Sequence, residues 1–179
     1  MPYEVPPDLA SLSLAEIAEL NAARKLPPVE QWNPQVAGDS LMVIKADGRW
    51  FHDGGEIWRP AMIRAFAGLL RREADGSHWL VTPAEKQSIV VEDAAFIATD
   101  VVRTGDALAF RLNTDEVVLA GPEQPLVARG DPDMPALYLT VRHGTEARIN
   151  RSTWLQLVEL ADAQFGVTSQ GMRFSLVPV

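Results

Sequence analysis

The chain has 179 residues, 47% hydrophobic and 22% charged, with 24 acidic against 16 basic side chains and a net charge of −8. Length and balance fit an ordinary soluble globular chain, one large domain or two small ones, able to bury a core without covalent staples. The absence of cysteine excludes disulfides, thiol catalysis, zinc–thiolate sites and iron–sulfur clusters together, and the acidic surplus opposes nonspecific binding to DNA or RNA.

Residues 1–10 are proline-rich and expected to be extended. They lack the basic and apolar regions of a signal peptide, and no apolar run approaches the ~20 residues of a membrane span. The expected location is the cytoplasm, with no membrane partner. Ser13-Leu14-Ala15-Glu16 is a capping-box start for a helix with Ile17, Leu20 and Ala23 on one face. Pro27-Pro28 ends it, and Val29 to Gly38 reads as a loop anchored by Trp32. Strands are predicted near 41–45, 49–52 and 55–58, separated by turns at Asp47-Gly48 and Asp53-Gly54-Gly55. Pro60 opens a second helix, predicted to run to Arg71-Arg72 and to close at Asp75-Gly76.

From His78 the period becomes strand-like. Strands are predicted near 79–82, 88–92, 95–103, 107–112, 116–120, 126–128, 137–142 and 146–150, with the polar stretch Thr82 to Lys86 as a loop. Ser152 is the expected cap of a third helix with Trp154, Leu155 and Val158 on its apolar side, and a last strand is placed at 172–177. The fold expected from this pattern is α+β. It has an N-terminal extension and helix over 1–36, a small hairpin-plus-helix domain over 37–76, and a larger domain over 77–179. The last is expected to be a curled antiparallel sheet, or partial barrel, closed by a helix.

Two stretches resemble each other. In each, a strand (41–45 or 136–141), a turn (Asp47-Gly48 or His143-Gly144) and a further strand lead to an arginine, Arg59 or Arg151, at the mouth of a helix. Helix starts carry free N–H groups and a positive dipole end, so an arginine there makes an anion receptor. The expected reading is a duplicated strand–hairpin–helix unit whose arginines share one crevice between the halves. The ligand-binding residues are then Arg59, Arg151, Lys86, Arg142 and Trp58, the last as a stacking surface, with Arg103 and Arg148 as further cations. A small anionic molecule is the expected ligand.

No catalytic signature stands out. There is no Gly-x-Ser-x-Gly elbow, Walker loop or Gly-x-Gly-x-x-Gly. His52, Asp53 and Glu56 span a glycine-rich turn that directs the carboxylates to water, and no second histidine is near in sequence, so three ligands are not expected to converge as a metal needs; neither a metal nor a cofactor is expected. Two alternatives stand beside ligand binding. One is a protein-interaction scaffold using a sheet edge or groove. The other is a phosphoester hydrolase recruiting His52, Asp53 and Glu56 or Glu85.

The chain resembles a bacterial family of unknown function, domain-of-unknown-function family 1285. The resemblance lies in Pro28 to Pro34, Asp47-Gly48-Arg49-Trp50-Phe51, Arg59-Pro60, Leu80 to Lys86, Val91-Glu92-Asp93-Ala94, Tyr138 to Ala147, and Arg151. It covers most of the chain from about residue 28. It implies an internal duplication, a C-terminal half loosely like a pleckstrin-homology barrel, a nucleotide-like ligand between the halves and a role in signal transduction. It implies no established site residue.

Overall fold

The structure is a computed structural model and describes residues 4–179; residues 1–3 of the expected extended segment lie outside the described residues. The chain is a mixed α+β protein. Its helices are α1 (Leu14–Ala23), α2 (Pro60–Ala67) and α3 (Arg151–Leu160). A first six-stranded sheet holds β1 (Val36–Ile44), β2 (Trp50–His52), β3 (Gly55–Glu56), β4 (Leu70–Arg72), β5 (His78–Val81) and β6 (Glu85–Val91). A second holds β7 (Phe96–Thr104), β8 (Ala107–Leu112), β9 (Val117–Leu119), β10 (Leu126–Asp131), β11 (Met134–Thr140) and β12 (Glu146–Ile149). A final hairpin joins β13 (Gly166–Ser169) to β14 (Met172–Ser175).

The two sheets share one topology. The first runs β3-β2-β1-β6-β5-β4 and the second β9-β8-β7-β12-β11-β10. Each consists of two antiparallel three-strand meanders joined at the centre by a parallel pair, β1 with β6 and β7 with β12. The repeat is therefore a six-stranded mixed sheet, whereas the sequence pattern suggested a strand–hairpin–helix unit and an antiparallel sheet. In the first copy α2 links β3 to β4, in the middle; in the second α3 follows β12, at the end. Arg59 and Arg151 stand at different points of the two copies. Among the described residues neither sheet closes into a barrel.

The chain divides into two compact units. One comprises chiefly Lys25–Ala95 with Arg142–Thr145; the other comprises Pro6–Arg24, Phe96–Val141 and Glu146–Val179. The strands over 78–91 belong to the first sheet, so the main division falls near residue 95. The N-terminal helix belongs to the second unit. Ser13 Oγ accepts a hydrogen bond from Glu16 N at 3.2 Å, capping α1 as the sequence indicates. Ile17, fully buried, joins Leu9, Leu12, Ala109 and Val117 in one apolar cluster. All six residues of β8 are buried; five are apolar, and the sixth, Arg111, donates to the carbonyls of Asp115 and Pro7.

Three local readings change. Helix α2 stops at Ala67, capped by Gly68, and Leu70–Arg72 form β4 instead of a last helical turn. The buried cross-strand partners Leu70 and Leu80 explain the change, since pairing them satisfies the backbone and removes both side chains from water. Glu85-Lys86-Gln87 belong to the central strand β6, paired with β1 on one side and β5 on the other. Val36 to Gly38, read as loop, are strand because the parallel partner is far away in sequence. A bulge at Leu41 (φ 58°) interrupts that pairing. Ser40 bridges it by accepting from Met42 N (3.1 Å) and donating to Ser88 O (2.7 Å).

The turn between β11 and β12 packs within the first unit. Arg72 N donates to His143 O at 2.9 Å, and Arg142 Nη2 donates to Ala67 O at 3.3 Å. Gly144 in that turn has φ 79°, and a β-carbon placed there would stand 2.8 Å from Arg72 O. Gly144→Ala therefore incurs both backbone strain and a clash with main chain. It is expected to lower stability by about 1–3 kcal/mol, read as a fall in thermal midpoint; an unchanged midpoint would refute this packing.

Candidate functional site

In the second unit a concavity of about 340 Å³ lies where β11, β12 and the start of α3 meet. It is lined by Asp133, Met134, Pro135, Leu137, Arg148, Ile149, Arg151 and Trp154. Asn150, not Ser152, caps α3, its Oδ1 accepting from Thr153 N at 2.9 Å. Arg151 is thus the first helical residue. Its side chain is exposed and makes no hydrogen bond or ion pair with a described residue. Thr153 Oγ1 donates to Ala98 O and Gln156 Nε2 donates to Asp100 Oδ1, fixing α3 on β7. Arg148 is held in place: it pairs across the strands with Tyr138, donates to its hydroxyl at 3.3 Å and lies 5.4 Å from the ring centre. Arg129 stacks on the same ring at 4.6 Å and forms a two-pronged ion pair with Glu146.

In the first unit a shallower concavity of about 380 Å³ is lined by His52, Gly55, Glu56, Ile57, Trp58, Arg59 and Met62. The Trp58 side chain is 77% exposed. Arg59 precedes α2 and is exposed; its carbonyl accepts from Met62 N and Ile63 N, while its side chain makes no hydrogen bond or ion pair with a described residue. Glu56 lies 4.0 Å from Arg49.

Of the five expected site residues, Trp58 and Arg59 line one concavity and Arg151 the other, while Lys86 and Arg142 line neither. Lys86 is engaged elsewhere. Its ammonium meets Glu73 at 2.8 Å and lies 4.2 Å from the Trp79 ring centre. Arg71 reaches the same carboxylate at 3.2 Å and donates to the carbonyls of Val29 and Trp32, tying that loop to the sheet. Arg142 is bound to Ala67 O, and Arg103 donates to Thr168 O at 3.0 Å. Among the described residues no three His, Asp or Glu side chains gather as metal ligands, and no helix is long and apolar enough to cross a membrane. Asp133, Met134, Pro135 and Leu137 carried no functional signal in the sequence. The nearest clue was the Asp131-Pro132-Asp133 turn, which places the β10–β11 hairpin tip beside Arg151.

These features define a two-unit α+β protein in which one six-stranded topology is used twice and each unit offers a cation-bearing concavity. The chain belongs to the DUF1285 family. Residues 27–94 match its N-terminal domain, described as a domain of unknown function, and residues 95–176 match its C-terminal domain. The crystal structure of a DUF1285 family protein from Silicibacter pomeroyi DSS-3 is 38% identical, covering 91% of this chain and 95% of that one, with a TM-score of 0.78. A second, from Shewanella baltica OS155, is 23% identical over 67% of this chain and 91% of its own, with a TM-score of 0.55, a likeness that concerns the fold. No curated protein matches the chain.

The Glu73 carboxyl is held below the usual carboxylate range, first by its hydrogen bond from Lys86 and then by that from Arg71. Its contribution to stability is present above the unfolded value of about 4.3 and is lost as pH falls through the lower folded value. Urea midpoints measured from pH 6 downward are expected to fall less steeply below about pH 4.3 in Glu73→Gln than in the parent chain. Equal slopes would refute the assignment.

Proposed function

We propose that this protein is a ligand-binding, regulatory protein that takes up a small anionic molecule in the concavity at the start of α3. Arg151 carries the reading. It is a guanidinium with no described partner, on the rim of a concavity whose inner wall includes buried Leu137 and Ile149. A cation beside an apolar wall is the usual composition of a small-molecule site. The family resemblance implies a nucleotide-like ligand and a signalling role; the small anion and the regulatory role are kept here without fixing the class of anion. The pleckstrin-homology-like reading of the C-terminal half falls within this proposal, supported by six strands leading directly into a helix packed on β7. That architecture does not by itself imply a lipid ligand.

The Trp58–Arg59 concavity is the second reading, favoured by an exposed indole beside a guanidinium with no partner among the described residues. A thermal-shift screen of nucleotides and other anionic metabolites separates the two. A ligand at a hundred times its dissociation constant adds about 2.7 kcal/mol of stability. Arg151→Ala is expected to remove most of that shift. A shift lost in Arg59→Ala instead would move the site to the first unit, and one that survives both substitutions would overturn the proposal.

A further inference from the structure

We infer that the concavity at the start of α3 selects an organic monocarboxylate with an apolar body, a short- to medium-chain or aryl carboxylate, over a phosphate ester. This rests on the proposed ligand site and narrows its chemistry.

Charge is the first argument. The lining carries two guanidiniums, Arg148 and Arg151, and one carboxylate, Asp133. Arg148 is already engaged by Tyr138. Tyr138 is uncharged and leaves that guanidinium its charge, so two positive charges against one negative leave the lining one net positive charge, matched to one negative charge, and Arg151 is the guanidinium with no described partner. A phosphate monoester carries nearly two charges near neutral pH, and the second would exceed that balance and meet Asp133.

The wall is the second argument. Leu137 and Ile149 are almost fully buried, at 2% and 5% exposure, and Pro135 and half-buried Trp154 continue the apolar surface. Met134 stands 83% exposed at the rim. A thioether left this bare beside an apolar wall is surface that a hydrocarbon body would cover, and methionine adapts its shape to varied apolar groups. A sugar phosphate would lay hydroxyls on this wall with few polar partners for them, at a desolvation cost. The volume of about 340 Å³ lies at the small end of the range for ligand sites, which suits one ring or a short chain.

The test is titration calorimetry of the full chain with butyrate, hexanoate, octanoate, 3-phenylpropionate, adenosine monophosphate and inorganic phosphate, repeated on Arg151→Gln and Asp133→Asn. The carboxylates are expected to bind with affinity rising by up to about fourfold per methylene that reaches the wall. Arg151→Gln, a change at an exposed position, is expected to weaken them tenfold or more. Asp133→Asn is expected to strengthen phosphate relative to carboxylate. Binding of adenosine monophosphate that depends on Arg151, with no carboxylate binding, would overturn the inference and leave the proposed site standing. Millimolar silence from every probe would overturn both.

Discussion

The parallel pairing of first strand with last is the constraint on which each sheet depends. β1 meets β6 and β7 meets β12 at the centre of their sheets, and the other four strands are arranged outward from that pair. Parallel neighbours cannot be joined by a tight turn, so four intervening strands serve as the crossover. The pair is bought with loop closure, whose entropic cost grows only slowly with length, and it is repaid by burial. Ile44 and Ile89 in the first sheet, and Phe96, Ala98, Ala147 and Ile149 in the second, are removed almost entirely from water. The opening strand of each sheet also carries an irregularity, between Asp39 and Met42 in β1 and between Ala98 and Asp100 in β7. A bulge bends a strand and sharpens its twist.

What could be read in the sequence was what is local. The Ser13 capping box, the Pro60 helix start and the turn at Asp47-Gly48 are properties of a few adjacent residues, and the structure has them; Asp75-Gly76, read as the close of the second helix, instead turns β4 into β5. The end of α2 was misplaced because Leu69-Leu70 continue a helical apolar stripe. Only the distant partner Leu80 makes Leu70 a strand residue. The same holds for Glu85-Lys86-Gln87, polar enough for a loop and yet central, because the Lys86 ammonium is met by Glu73 and by the face of Trp79. Repetition was visible, but its unit was not, since a topological repeat is defined by which strands pair and leaves little trace in spacing.

The candidate site divides along the same line. Arg59 and Arg151 stood out because each sits at a helix mouth, a local signal that survives in the structure. Their company is nonlocal. Arg151 is joined by Arg148 through β12, by Leu137 and Pro135 through β11, and by Met134 through the hairpin tip. Trp58 keeps its place beside Arg59 because the two are adjacent in the chain. Lys86 and Arg142, expected as ligands from their charge, are occupied in holding strands and turns together.

The membership of α1 in the second unit has a consequence for the order in which a ribosome delivers this protein. The segment Pro6–Arg24 leaves the tunnel ahead of the first sheet, yet Ala109 and Val117, which Leu9, Leu12 and Ile17 pack against, arrive only after that whole sheet has been made. At ~5–20 residues per second that is a wait on the order of ten seconds, during which Leu9, Leu12 and Ile17 lack the apolar partners that cover them in the finished fold.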